Sequence, residues 1–293
     1  FSYYNGGGSG SLEVLRCTLA DCSTSLQEHT LANNIGGLNF TNSIIFGSDG
    51  LPIISFYNSL TSRLMVVKCT GAPSTDPTIL TDPCGPTLPV LITVGSGTGA
   101  YGKYNAIAIG SEGLSGSPGY PIIAYSDEAE QKLKIIKCGF HDCSSIIGNI
   151  ITLDSGITVN GVAMTIGKDG LPIVVYTTPT QVKVAQCQNY KCDSTVSIST
   201  IATEPSPRFP TISILQDGLP FIAYEIVSNV YQLRAGKCNS PACNSIFIMS
   251  LETSIEEQTI STVVGAEGLP IIFRFGGGFL QASHCGNPRC IPN

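Results

Sequence analysis

The chain has 293 residues, of which only 12% are charged, and its 15 Lys and Arg against 21 Asp and Glu leave a net charge of −6. So dilute an acidic balance supplies neither the basic stripe that nucleic acid requires nor a polybasic membrane patch, and no apolar run reaches the roughly 18 residues of a membrane span. With 32 Gly, 18 Pro, no Trp and a mean hydropathy of +0.23, the chain carries few surface charges, which leads to the expectation that neighbours or glycans cover part of it.

One phrase recurs along the sequence: a turn ending in Asp-Gly or Glu-Gly, then Leu-Pro-Ile-Ile-x-Tyr, a short apolar run, and two cysteines. The opening Phe1-Ser2-Tyr3-Tyr4-Asn5 aligns with residues 54–58 and runs on to Cys17, so the first copy begins inside the phrase. Fuller copies follow at 47–69, 167–187 and 215–238, with two more recognisable at Tyr120-Pro121 and Leu269-Pro270. A period of about fifty residues predicts a single repeat domain over 1–293. Its units fall near 1–42, 43–105, 106–161, 162–210, 211–260 and 261–293.

Val, Ile, Tyr, Phe and Thr dominate each unit, so the elements are read as strands, four to a unit, labelled a to d. Strand a is predicted at 43–46, 106–109, 162–166, 211–215 and 261–264; strand b is the Leu-Pro-Ile-Ile run; strand c ends at the first cysteine; strand d follows the second, as at 150–153 and 247–251. A connection of about two residues at Asp49-Gly50, Asp169-Gly170 and Asp217-Gly218 makes a and b neighbours in one sheet. The longer d-to-a stretches, 154–161 and 203–210, suit a crossing between sheets. This wiring predicts an all-β, six-bladed β-propeller of antiparallel blades, with strand a lining a central channel and the first and last blades partial. Proline at the head of strand b is tolerated there, and consecutive apolar residues fit strands buried on both faces.

Twelve cysteines fall into local pairs, Cys17/Cys22, Cys69/Cys84, Cys138/Cys143, Cys187/Cys192, Cys238/Cys243 and Cys285/Cys290. Their regular placement reads as one disulfide per blade in an oxidising compartment, since pairs spread around an array cannot converge on zinc. With no leader at its start, the chain is expected to be a mature secreted product. Asn39, in the sequon Asn39-Phe40-Thr41, is a possible glycosylation site.

The string G-x-D-G-L-P-x-I-x-Y followed by Lys-Cys and a second Cys resembles the repeats of secreted microbial β-propeller proteins, with matches at 47–57, 110–125, 167–176, 216–224 and 265–275. The resemblance implies the architecture rather than an activity, because propellers of one design serve as scaffolds, lectins and enzymes.

Three residue sets bear on chemistry. The hairpin acids Asp49, Glu112, Asp169, Asp217 and Glu267 would ring one mouth of the channel, although Asp-Gly also serves the hairpin backbone. Arg16, Lys68, Lys137, Gln186, Lys237 and His284, each preceding a first cysteine, would form a cationic belt or simply solvated strand ends. Tyr3, Phe56, Tyr125, Tyr176, Tyr224 and, in the sixth place, Arg274 would stack on sugars or pack between blades. His29, His141 and His284 are the only histidines, and the latter two read as turn residues beside cysteines. No catalytic residue, metal or cofactor is expected, since no unit holds a carboxylate pair that the others lack. Partial terminal blades lead to the expectation of a non-enzymatic structural module that self-associates head to tail into an extracellular fibre or surface layer. The alternatives are a lectin-like propeller binding glycans or proteins and, more weakly, a polysaccharide-acting enzyme. Residues 71–83 and 114–119 depart furthest from the repeat.

Overall fold

The computed structural model describes all residues except 1, 7–8, 18–25, 37–40, 72–83, 85–90, 96–98, 111–118, 255–258, 277–278 and 291–293. Among the described residues all regular secondary structure is β, in six antiparallel meanders that make a six-bladed β-propeller. The first sheet holds β1 (Ser2–Asn5), β2 (Ser11–Cys17) and β3 (Leu26–Asn33); the second β4 (Asn42–Phe46), β5 (Pro52–Asn58), β6 (Arg63–Lys68) and β7 (Leu91–Thr93). The third holds β8 (Tyr101–Gly110), β9 (Tyr120–Asp127), β10 (Lys132–Lys137) and β11 (Ile151–Ser155); the fourth β12 (Gly161–Ile166), β13 (Pro172–Thr177), β14 (Gln181–Cys187) and β15 (Val196–Thr203). In the fifth are β16 (Pro207–Ile214), β17 (Pro220–Val227), β18 (Tyr231–Cys238) and β19 (Ile246–Ser254), and in the sixth β20 (Thr259–Val264), β21 (Pro270–Gly276) and β22 (Phe279–His284). As the repeat phase predicts, the first and last sheets have three strands among the described residues. Two compact units divide the chain, one of Phe1–Glu130 with Lys134–Ile150 and the other of Gln131–Leu133 with Ile151–Asn293.

The unbroken apolar runs of strand b follow from burial on both faces. In β5, Ile54 and Phe56 join Leu12, Val14 and Leu31 of the first sheet, while Ile53 turns the other way to meet Ile107, Ile123 and Tyr125 of the third. Likewise in β17, Ile222, Tyr224 and Ile226 pack with the fourth sheet's Val175 and Val184, and Phe221 and Ala223 pack with Ile272 of the sixth. A pleated strand presents alternate residues to opposite faces, so a sheet held between two others needs apolar side chains at every position.

Proline enters the ladder only through its carbonyl. Pro52, Pro121 and Pro270 accept hydrogen bonds from Cys69, Cys138 and Cys285 at 2.9, 2.9 and 3.0 Å. The missing N–H is therefore no cost at the head of the strand, and the same bond places the first cysteine in these three units.

The a-to-b hairpin is longer than its sequence suggests. Phe46 pairs with Pro52, leaving five residues between strands rather than two; Gly50 N–H bonds to Gly47 C=O at 2.9 Å, and Gly47 N–H to Leu51 C=O at 2.9 Å. With Gly50 at φ 75°, this is a β-turn followed by a left-handed glycine, repeated at Gly170, Gly218 and Gly268.

Five disulfides are described, Cys69–Cys84, Cys138–Cys143, Cys187–Cys192, Cys238–Cys243 and Cys285–Cys290. The pairing of Cys17 with Cys22, the sequon at Asn39, and most of the departures at 71–83 and 114–119 lie outside the described residues. In the four short loops the second cysteine is left-handed, with φ between 51° and 59°, and its N–H bonds back three residues, as from Cys143 to Phe140 at 3.1 Å.

Candidate functional site

Strand b pairs with strand c so that Ile53, Ile173, Phe221 and Ile271 lie opposite Lys68, Gln186, Lys237 and His284. This register brings each residue before a first cysteine up against the acid of its own hairpin. Lys68 Nζ sits 2.7 Å from Asp49, Gln186 Nε2 donates to Asp169 at 3.4 Å, Lys237 pairs with Asp217, and His284 with Glu267. The expected acidic ring and cationic belt are thus drawn together within four blades, as an ion pair at Lys68–Asp49 and Lys237–Asp217 and as a neutral amide contact at Gln186–Asp169. Burial opposes charge on Asp49, but hydrogen bonds from Lys68 and the Leu51 N–H outweigh it and hold the carboxyl below its usual range. Lys137 is buried; Glu112 and the side chain of Arg16 lie outside the described residues. Among the described residues no group of three or more His, Cys, Asp or Glu is placed to hold a metal.

The aromatic row is core. Phe56, Tyr125, Tyr176 and Tyr224 have no accessible surface, Arg274 is 7% exposed, and Tyr3 is half-buried. Three of these positions carry polar links between neighbouring sheets. Tyr176 donates its hydroxyl to Asp154 of β11 at 2.6 Å while Lys183 of β14 pairs with the same oxygen at 2.5 Å. Arg234 stands 3.8 Å from Glu204, whose charge also faces Tyr224, and Arg274 pairs with Glu252. Burial pushes the Tyr176 hydroxyl far above its usual range, and the Asp154 charge beside it adds to the shift.

Two histidines stay near their cysteines and the third, His29, lies in β3. His141 does more than turn the chain. Its ring lies 5.1 Å from that of Tyr120 at 57°, and Nδ1 is 3.3 Å from Ser48 Oγ.

A carboxyl shifted upward lies at the other end of the third sheet, in the turn after β9. Asp127 is fully engaged there: Lys134 Nζ is 2.7 Å from one oxygen and the Glu130 N–H donates to the other at 3.0 Å. It serves the turn as Asn58 serves the second sheet, where Asn58 accepts from the Leu60 and Thr61 N–H groups. Glu128, one residue on, has a different environment. Ser126 Oγ donates to Oε1 at 2.7 Å, and Ser126 is itself fixed by the Tyr104 N–H at 3.0 Å, but Oε2 is buried with no hydrogen-bond partner among the described residues. Burial pushes this carboxyl above the usual glutamate range, more than the Ser126 bond and the positive charge of Lys103 pull it down.

The strand facing Glu128 is pinned. Asn105 Nδ2 donates to Thr41 C=O at 2.9 Å and Gly102 C=O at 3.0 Å, and Ser55 donates to Asn105 Oδ1 at 2.6 Å. A register irregularity between Tyr101 and Asn105 lifts the intervening residues out of the ladder, and Lys103 Nζ lies 5.4 Å over the ring of Tyr104. Gly102 has φ 93°, and a Cβ there would fall 2.4 Å from Cβ of Leu64. The two adjacent acids thus stand in unlike environments, Asp127 ion-paired to Lys134 and Glu128 raised by burial. Sequence reasoning missed Glu128 because it looked for positions shared by the units. The available signal was local: Asp127-Glu128-Ala129-Glu130 is a knot of acids in a chain only 12% charged.

No family model matches the chain, and no curated protein matches it. Solved structures do match in fold. A protein of unknown function from Dyadobacter fermentans superposes with a TM-score of 0.58 at 11% identity, over 96% of this chain and 84% of that one. The α-L-arabinofuranosidase Arb93A from Fusarium graminearum gives 0.53 at 10% identity, over 85% and 81%, and a GH43 β-1,3-galactosidase gives 0.50 at 9%, over 87% and 88%.

These neighbours correct the expectation of a fibre-forming or surface-layer module, because the same fold is found in glycoside hydrolases. Low charge density does not by itself call for covering neighbours: strand b of the second to fifth sheets is buried on both faces, and Lys68, Lys134 and Lys183 pair with acids of the chain itself.

Proposed function

We propose that the chain is a secreted, carbohydrate-active propeller that acts on polysaccharide, with Glu128 as the proton donor to the departing sugar oxygen. One observation carries the reading: a half-buried carboxyl, held by Ser126 on one oxygen and unpartnered on the other, sits in the turn beside the pinned strand of Lys103 and Tyr104. A group that delivers a proton near neutral pH must hold it there, and burial of Glu128 acts in that direction. Glu128 would protonate the glycosidic oxygen, the C–O bond to the sugar would break, and water would supply the new hydroxyl and return a proton to Glu128. Asp127 is not the second carboxylate that glycosidases employ, because the turn and Lys134 occupy both of its oxygens. Support for the substrate class comes from the fold shared with an arabinofuranosidase and a β-1,3-galactosidase. Support for secretion comes from the local disulfides.

Incubation with soluble arabinan, galactan and xylan, reading released reducing ends, tests this. The wild type is expected to cleave at least one polymer, and Glu128→Gln to lose at least about 100-fold in rate, the usual worth of a general acid. Equal rates in the two proteins, or no release from any polymer, would overturn the assignment.

A further inference from the structure

At the hairpin end of the second and third sheets lies a shallow, open cleft of about 410 Å³. Its walls include Asp49 and Lys68 from the second sheet and Phe140, His141, Asp142 and Ser144 from the disulfide loop of the third.

The loop sequence is the unusual part. Its counterparts carry Asn189, Ser240 or Asn287 where this loop carries Phe140, as the shared bond back from the second cysteine shows. In two of them that side chain steadies the turn: Asn189 Oδ1 accepts from the Lys191 N–H at 3.1 Å and Asn287 Oδ1 from the Arg289 N–H at 3.0 Å. The third loop replaces this bond by one from the Ser144 N–H to Asp142 Oδ1 at 2.9 Å and exposes a phenyl ring at 57% of its surface. The ring thus stands open to solvent beside hydrogen-bond acceptors, an arrangement that a ligand with an apolar face could cover.

The charges around it select the kind of ligand. Lys68 spends two donors, on Asp49 at 2.7 Å and on the Leu51 carbonyl at 2.8 Å. Asp49 and Asp142 then leave the cleft with more acid than base, and both carboxyls are held below their usual range against the effect of burial, by hydrogen bonds from Lys68 and Ser144 respectively. An anionic ligand would meet two carboxylates. A ligand with hydroxyl donors on its edge and an apolar C–H face would meet acceptors and an aromatic platform.

We propose that this cleft is a second carbohydrate site that takes a neutral sugar residue of the polymer, its C–H face on Phe140 and its hydroxyls toward Asp49 and Asp142. The proposal rests on the polysaccharide reading above and adds a contact remote from Glu128 in the third sheet. It tethers the chain being processed and is not itself a place of bond cleavage.

Affinity electrophoresis through gels containing arabinan, galactan, xylan or polygalacturonate tests it, with the Glu128→Gln protein used throughout so that the polymer stays intact. At least one neutral polymer is expected to retard the protein, and Phe140→Ala on the same background to bind about tenfold more weakly, the equivalent of one aromatic contact. Phe140→Tyr is expected to restore retardation, and an unchanged thermal midpoint for both variants would show that the fold is intact. Undiminished retardation of Phe140→Ala, or retardation by polygalacturonate alone, would overturn the proposal. Cleavage by the wild type with retardation indifferent to Phe140 rejects the cleft alone, whereas Phe140-dependent retardation without cleavage rejects the Glu128 assignment alone.

Discussion

Replacing Asp154 by alanine removes the carboxylate on which two buried donors of the fourth sheet converge. Lys183 and Asp154 have side-chain exposures of 14% and 15%, and the Tyr176 ring and hydroxyl lie in a residue with no accessible surface. The substitution therefore leaves one ammonium and one phenol without their acceptor. Breaking a buried pair costs about 3–5 kcal/mol, and with these residual exposures the lower end, about 3 kcal/mol, is expected. Tyr176→Phe removes only the donor to a charged acceptor and is expected to cost about 1.5 kcal/mol. In the double variant the two losses overlap, giving a coupling of about 1 kcal/mol. The chain lacks Trp, so urea unfolding followed by far-ultraviolet circular dichroism, disulfides intact, is the suitable assay. The pH dependence follows from the sign of the shift. Asp154 is held below its ordinary value of 3.8 despite burial, by Lys183 and Tyr176. A depressed acid contributes stability above the unfolded value and loses it as pH falls. The gap between wild type and Asp154→Ala should accordingly be level from about pH 5 to 8 and close below about pH 4. A gap under about 0.5 kcal/mol at pH 7, or one that widens in acid, would refute the reasoning.

Two further predictions concern the third sheet. Gly102→Ala forces a left-handed residue to carry a Cβ into the Leu64 backbone, at 2.8 Å from its Cα, and is expected to cost at least about 2 kcal/mol in urea unfolding and to lower turnover through the displaced Lys103. Replacing Cys138 and Cys143 together by serine opens a six-residue loop, for which chain entropy predicts about 2 kcal/mol. That variant should lose polymer retardation along with Phe140→Ala while keeping Glu128-dependent cleavage, which the same gels and reducing-end assay will read.

The repeat made the sheet order and the burial of strand b legible, because Leu-Pro-Ile-Ile offers no polar residue at any alternate position and so demands two apolar neighbours. Proline heading the strand was readable for the same local reason. Hairpin length was not, since Asp-Gly is compatible with a two-residue turn and with the five-residue connection that Gly47 and Gly50 close. The pairing of hairpin acids with the residues before each cysteine escaped notice because it depends on the register of b against c, which periodicity leaves open by one step. Glu128 was hidden for a different reason. Averaging over units selects what every blade needs to fold, and an acid whose oxygen is left unsatisfied is what folding alone would remove. Phe140 was visible in principle as the one bulky apolar residue among Asn189, Ser240 and Asn287.

The two anchors of the disulfide loop have a consequence for how such a chain diversifies. Cys138 is positioned by the Pro121 carbonyl, and Cys143 by its own left-handed turn and the covalent bridge. Both anchors are backbone or disulfide bonds, although side chains such as Asn189 and Asn287 add support within the turn. Gly-Phe-His-Asp is thus a replaceable insert with fixed ends, and Gln-Asn-Tyr-Lys or Asn-Ser-Pro-Ala fits the same frame in other blades. A propeller built in this way can vary its exposed loops one blade at a time, with the change confined to four residues and the core untouched.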